Sequence, residues 1–191
     1  MSPRALARLD DISLEFLCRL LLASEATGIW PESINLVVVV LLPKSDGGRR
    51  PIGLFPAVVR LWMRARLEVV QVWQAANRAT GDYACRGMGA NQAAWQVCFR
   101  GENAAAHSHH YAKGLIDLVK AFERIDHTLL FQAASRRQYP LHVLRLSLAA
   151  YRLQRTIGID GIFSKPTTAV LGITAGSGHA TIELGLLLLD V

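Results

Sequence analysis

Apolar positions recur at helical spacing over residues 12–26, where Leu14, Leu17, Cys18, Leu21 and Leu22 share a face and Asp10 and Asp11 stand as capping residues. GIWPES ends that helix. The period then changes: residues 34–42 read INLVVVVLL, a β-branched run short enough for a buried strand, and the turn residues Asp46, Gly47 and Gly48 follow within PKSDGGRRPI. This predicts a β-hairpin with a basic tip. Pro56 suits a first helical turn, after which Val58, Leu61, Ala65, Val69, Val72 and Ala76 form one helical face, and Arg60, Arg64, Glu68 and Gln71 another.

A Gly-rich stretch, TGDYACRGMGAN, precedes a helix predicted over about 92–105, and HSHHYAKG connects onward. Residues 115–118 read as a short apolar strand with Asp117 near its end, running into a helical turn with Ala121 and Phe122. Helices are predicted at about 127–138 and 140–153, separated at Pro140. Strand-like RTIGID and TTAVLGI flank a turn at Gly161, and the last 14 residues, GHATIELGLLLLDV, read as helix. The pattern holds no repeat and no linker, so a single α+β domain is expected.

Composition sharpens this only slightly. With 51% hydrophobic and 19% charged positions over 191 residues, the chain has the makings of a packed core. Its 21 Lys and Arg against 15 Asp and Glu give a net charge of +6, which favours a polyanionic partner. Cys18, Cys85 and Cys98 form no C-x-x-C pair and no even framework, which argues against a disulfide-stapled secreted fold. No apolar run is long enough to span a bilayer. A soluble, intracellular protein without membrane contact is expected, with nucleus and cytoplasm both open.

Three blocks carry chemistry: LLPKSDGGRRPIGL (41–54), GLIDLVKAFERIDH (114–127) and LGITAGSGHAT (171–181). In that order, they resemble the reverse transcriptases of retroelements (retrotransposons) and group II introns, over roughly residues 25–191. The resemblance implies a right-hand polymerase fold, helix-rich with short antiparallel strands, in which about 25–105 are fingers-like and about 106–191 form an incomplete palm. It also implies nucleotidyl transfer with two metal ions, Mg²⁺ or Mn²⁺, on an RNA template with a DNA primer and deoxynucleoside triphosphates. By this resemblance, Asp117 is the catalytic carboxylate and metal ligand, with the Leu118 carbonyl as a second oxygen. Taken alone, an Asp before a helical turn is a helix cap.

Phe122 matches the family position whose ring lies under the nucleotide sugar, and a core Phe stays open beside it. Lys44 and Arg50 match basic positions that contact the triphosphate, where Lys supplies a mobile charge and Arg a planar fork. A solvated turn is the other reading of both. Glu123 stands where the family commonly has Asp, Ala175 where it has Gln, and Ala180 and Thr181 where it has Ser-Pro. The family's third catalytic motif, Tyr-x-Asp-Asp, occurs nowhere in the 191 residues. The expectation is therefore a fragment of an RNA-directed DNA polymerase, inactive as this chain. A non-catalytic nucleic-acid-binding remnant of a retroelement is the alternative. His107, His109 and His110 read as a solvated loop, and Trp30, Trp62, Trp73 and Trp95 as core residues.

Overall fold

In a computed structural model, residues 3–78, 83, 87–114 and 117–188 are described. The first long helix, α2 (Asp11–Thr27), follows a single turn α1 (Pro3–Leu6); Asp10 caps it by accepting the Ser13 amide, and Gly28 ends it in the left-handed conformation. The hairpin forms as the sequence predicts. Strand β1 (Leu36–Pro43) pairs antiparallel with β2 (Arg49–Leu54), Val39 opposite Gly53 and Leu42 opposite Arg50.

Helix α3 (Ala57–Ala76) has the predicted period but a different phase. Its buried stripe is Val59, Trp62, Met63, Val70 and Trp73, whereas Leu61, Ala65, Val69, Val72 and Ala76 face outward. Two tryptophans and a methionine bury far more area than the Val, Leu and Ala stripe, so they decide which face turns inward. Helix α4 (Ala90–Ala106) matches the predicted segment, yet none of its side chains is buried and Trp95 is 77% exposed, against the expectation of a core tryptophan.

The expected strand at 115–118 is not found in its described half: Leu115 and Ile116 lie outside the described residues, and Asp117 and Leu118 are irregular and exposed. Among the described residues no strand lies beside them to complete a ladder, and the chain turns at once through Lys120, with φ +53°. Asp126 then caps α5 (His127–Arg136), accepting the amides of Thr128 and Leu129. Helix α6 (Leu141–Tyr151) follows Pro140 and is buried over most of its length.

Strand β3 (Gln154–Ile159) pairs with β1 in parallel, Val38 opposite Thr156, while β4 (Ile162–Phe163) and β5 (Thr167–Thr168) join β3 antiparallel. The sheet is thus mixed, with order β2-β1-β3-β4 and β5 also on β3, and not purely antiparallel as expected. A helical connection running from α3 to α6 separates β1 and β2 from β3, which permits the parallel pairing. Only Thr167 and Thr168 of TTAVLGI form strand; the rest leaves the sheet to make other contacts. Helix α7 (Ala180–Leu188) completes the α+β fold. The core joins Trp30, Trp62 and Trp73 to Leu130, Leu144, Leu146, Tyr151 and Leu186, so three of the four tryptophans pack as expected.

Candidate functional site

Residues 171–179 leave the sheet and lie between two other segments, held mainly by backbone hydrogen bonds. The Gly172 amide donates to Ile125 O at 2.7 Å, the Ile173 amide to Phe122 O at 2.8 Å, and the Gly53 amide of β2 to Ala175 O at 2.7 Å. Glycine is required here. A Cβ on Gly176 (φ +113°) would sit 2.3 Å from Gly53 O, and one on Gly172 (φ +85°) 2.7 Å from Glu123 O, both against backbone that cannot rotate away. The three sequence blocks, far apart along the chain, thereby meet in one place.

Side chains lock the same loop from below. His127 Nδ1 accepts from Arg152 Nε at 3.2 Å, so its Nε2–H is free to donate to Gly172 O at 2.9 Å. His179 Nε2–H donates to Met63 O of α3 at 3.0 Å, while its Nδ1 accepts from Ser147 Oγ at 3.2 Å. The Tyr151 hydroxyl donates to Glu183 Oε2 at 2.5 Å and lies 2.9 Å from Ser177 Oγ. Glu183 is fully buried, and burial pushes its carboxyl up to about 7. Burial also pushes His179 down and both Tyr151 and Tyr139 up.

This network escaped the sequence reading. The signal was present in GHATIELGLLLLDV, where His179 and Glu183 stand four residues apart in an otherwise apolar helical run. Polar groups at such spacing, on a helix with no polar face, must find partners inside the protein.

The residues carried by the resemblance are placed less tightly. Lys44 and Arg50 are both exposed at the hairpin end of β1 and β2, where the Lys44 amide closes the turn on Gly48 O. Phe122 is half-buried and packs against the core, a position compatible with either of its two readings. Asp126 caps α5 and His127 opens it. Asp117 is exposed, Leu118 is 47% exposed, and neither is hydrogen-bonded to the described residues. His107 and His109 stack on each other in an exposed loop.

A single carboxylate beside a backbone carbonyl suits one Mg²⁺ whose other oxygens come from substrate phosphates and water. It does not make a two-ion site, and among the described residues no group of three or more His, Cys, Asp or Glu converges as metal ligands do. Among the described residues, no helix is long and apolar enough to cross a membrane. A scan against models of protein families finds no match to this chain, and a search of curated proteins finds none.

Proposed function

We propose that this chain is a fingers–palm portion of an RNA-directed DNA polymerase of the retroelement type, acting on an RNA template, a DNA primer and deoxynucleoside triphosphates. The observation that supports this reading is the convergence of the three polymerase-like blocks, through the bonds of Gly53 to Ala175, Ile173 to Phe122 and Gly172 to Ile125. Blocks that act on one substrate have to meet, whereas blocks matching by chance have no reason to. In the intact enzyme, Asp117 and the Leu118 carbonyl would hold one divalent ion, and the metal chemistry it would supply is charge stabilisation at the reacting oxygens. Lys44 and Arg50 draw in the triphosphate, and Phe122 lies beneath its sugar.

The test is primer extension on an RNA template by a polypeptide that continues this chain through a Tyr-x-Asp-Asp hairpin. Extension should occur and should collapse in Asp117→Asn, which keeps the side chain's size and removes its charge. Undiminished extension by the variant would remove Asp117 from the mechanism. Tight nucleic-acid binding with no extension in any extended form would favour the non-catalytic remnant.

A further inference from the structure

Between α3 and the loop at 176–178 runs a cleft of about 220 Å³, lined by Arg60, Met63, Arg64, Leu67, Gly176 and Gly178. We infer that this cleft binds the phosphodiester backbone of a nucleic-acid strand, with Arg60 and Arg64 each taking a phosphate. The inference rests on the nucleic-acid partner proposed above, and not on polymerisation.

The two arginines occupy positions i and i+4 of one helix, so their side chains leave the same face about 6 Å apart along the axis. Both are exposed, and the described residues give neither an ion-pair partner. Arg66, two residues on, is by contrast committed to Glu25. Glu68 lies one turn further along the arginine face and does not line the cleft. Two guanidinium forks in line suit a chain of phosphates better than a single anion, because each fork engages one pair of oxygens.

The floor suits the sugars between those phosphates. Met63 and Leu67 are apolar, and the arginine stems extend the same surface. It is also fixed in place. His179, buried beneath, ties the loop to Met63 O and packs edge-on against Trp62 with ring centroids 5.5 Å apart, so little ordering remains to be done on binding. Gly178 lines the cleft, and a Cβ there would meet only Met63 Cβ at 3.6 Å, an ordinary contact, so a side chain can be introduced at this position.

The test measures fluorescence anisotropy of a labelled single-stranded oligoribonucleotide with this chain across a salt series, folding being checked by circular dichroism. Arg60→Ala and Arg64→Ala should each weaken binding about tenfold at low salt and flatten the log–log salt slope by about 0.7, the single-strand value for one phosphate contact. Arg60→Lys and Arg64→Lys should keep most of the slope. Gly178→Leu should weaken binding with the slope unchanged, a steric effect that loss of charge cannot imitate. Arg8→Ala, a charge-matched control outside the cleft, should do less than either cleft variant.

Native affinity in Arg60→Ala, Arg64→Ala and Gly178→Leu, with a native slope in both Ala variants, would overturn the proposal, as would absence of binding by the native chain. Polyglutamate bound as tightly as the oligonucleotide would reassign the cleft to acidic proteins, and full competition by inorganic phosphate at matched ionic strength would reduce it to a single-anion pocket. Failure of the polymerase reading is seen separately, as loss of primer extension in the extended chain while these binding changes persist.

Discussion

Glu183 sits inside α7 with its Oε2 accepting from Tyr151, and its Oε1 has no hydrogen-bond partner among the described residues. Around it lie Tyr151, Ser147 and Tyr139, none of them cationic at neutral pH, so its charge is left unbalanced. Its folded pKa of about 7 exceeds the usual 4.5, and the native state therefore holds the proton more tightly than the unfolded chain. Stability from this group is fully present below about 4.5 and is lost as pH rises through 7, by roughly 3 kcal/mol at most. His179 works in the opposite sense: its pKa is depressed by burial, so protonation below about 6.5 costs stability. Comparison with Glu183→Gln isolates the carboxyl, since Gln keeps the shape and cannot ionise. Urea unfolding from pH 5 to pH 8.5 should show the native chain losing stability relative to the variant as pH rises. Parallel profiles would mean that Glu183 is not buried as described.

At the scale of elements, α2 and α3 are joined by one carboxylate. Glu25 accepts from Trp62 Nε1 at 2.6 Å and from Arg66 Nε and Nη2 at 2.5 and 2.7 Å. Desolvation pushes its carboxyl up, but the bonds from Arg66 and Trp62 outweigh that and hold it below the usual range. Glu25→Ala should cost about 2 kcal/mol, a figure discounted because Arg66 is about a third exposed and can reach water. Because the folded pKa is depressed, this stability is present above about 4.5 and fades as pH falls through it. Unchanged thermal stability at pH 7 would show that the helices dock without this contact.

None of that junction was visible in the sequence. Periodicity gave the length of α3, and the hairpin with its turn followed from Asp46, Gly47 and Gly48, because both depend on neighbouring residues. The phase of α3 depended on what Trp62 and Trp73 would pack against. The β1–β3 parallel pairing joins residues more than a hundred positions apart, and local pattern carries no signal for such pairing. The site was legible as three blocks, while the loop that unites them depended on carbonyls such as Ile125 O and Gly53 O, which no side-chain pattern announces.

At the scale of the whole molecule, charge and chemistry separate. Residues 127–159 carry five arginines and no Asp or Glu, and the chain has a net charge of +6. Three of those arginines serve the fold in part: Arg145 donates to Thr27 O, Arg152 to His127 and Arg155 to Tyr151 O. They still add to the positive field, which attracts a polyanion before any contact is made. If Arg60 and Arg64 each neutralise one phosphate, together they should contribute about −1.4 to the log–log salt slope on a single strand. Nucleotidyl transfer makes a different demand. Two ions need several carboxylates within a few ångströms, and on the proposed reading Asp117 supplies one. This chain should therefore bind an RNA–DNA primer–template in gel-shift titrations, release it as salt rises, and leave the primer unextended with Mg²⁺ or Mn²⁺ present. Extension by these 191 residues would show that carboxylates other than a Tyr-x-Asp-Asp pair complete the site. If the chain is inactive and its continuation through such a hairpin is active, the missing carboxylates are the cause; if both bind and neither extends, attention moves to Ala175, whose methyl group cannot offer the amide contacts of Gln beside the Gly53 backbone.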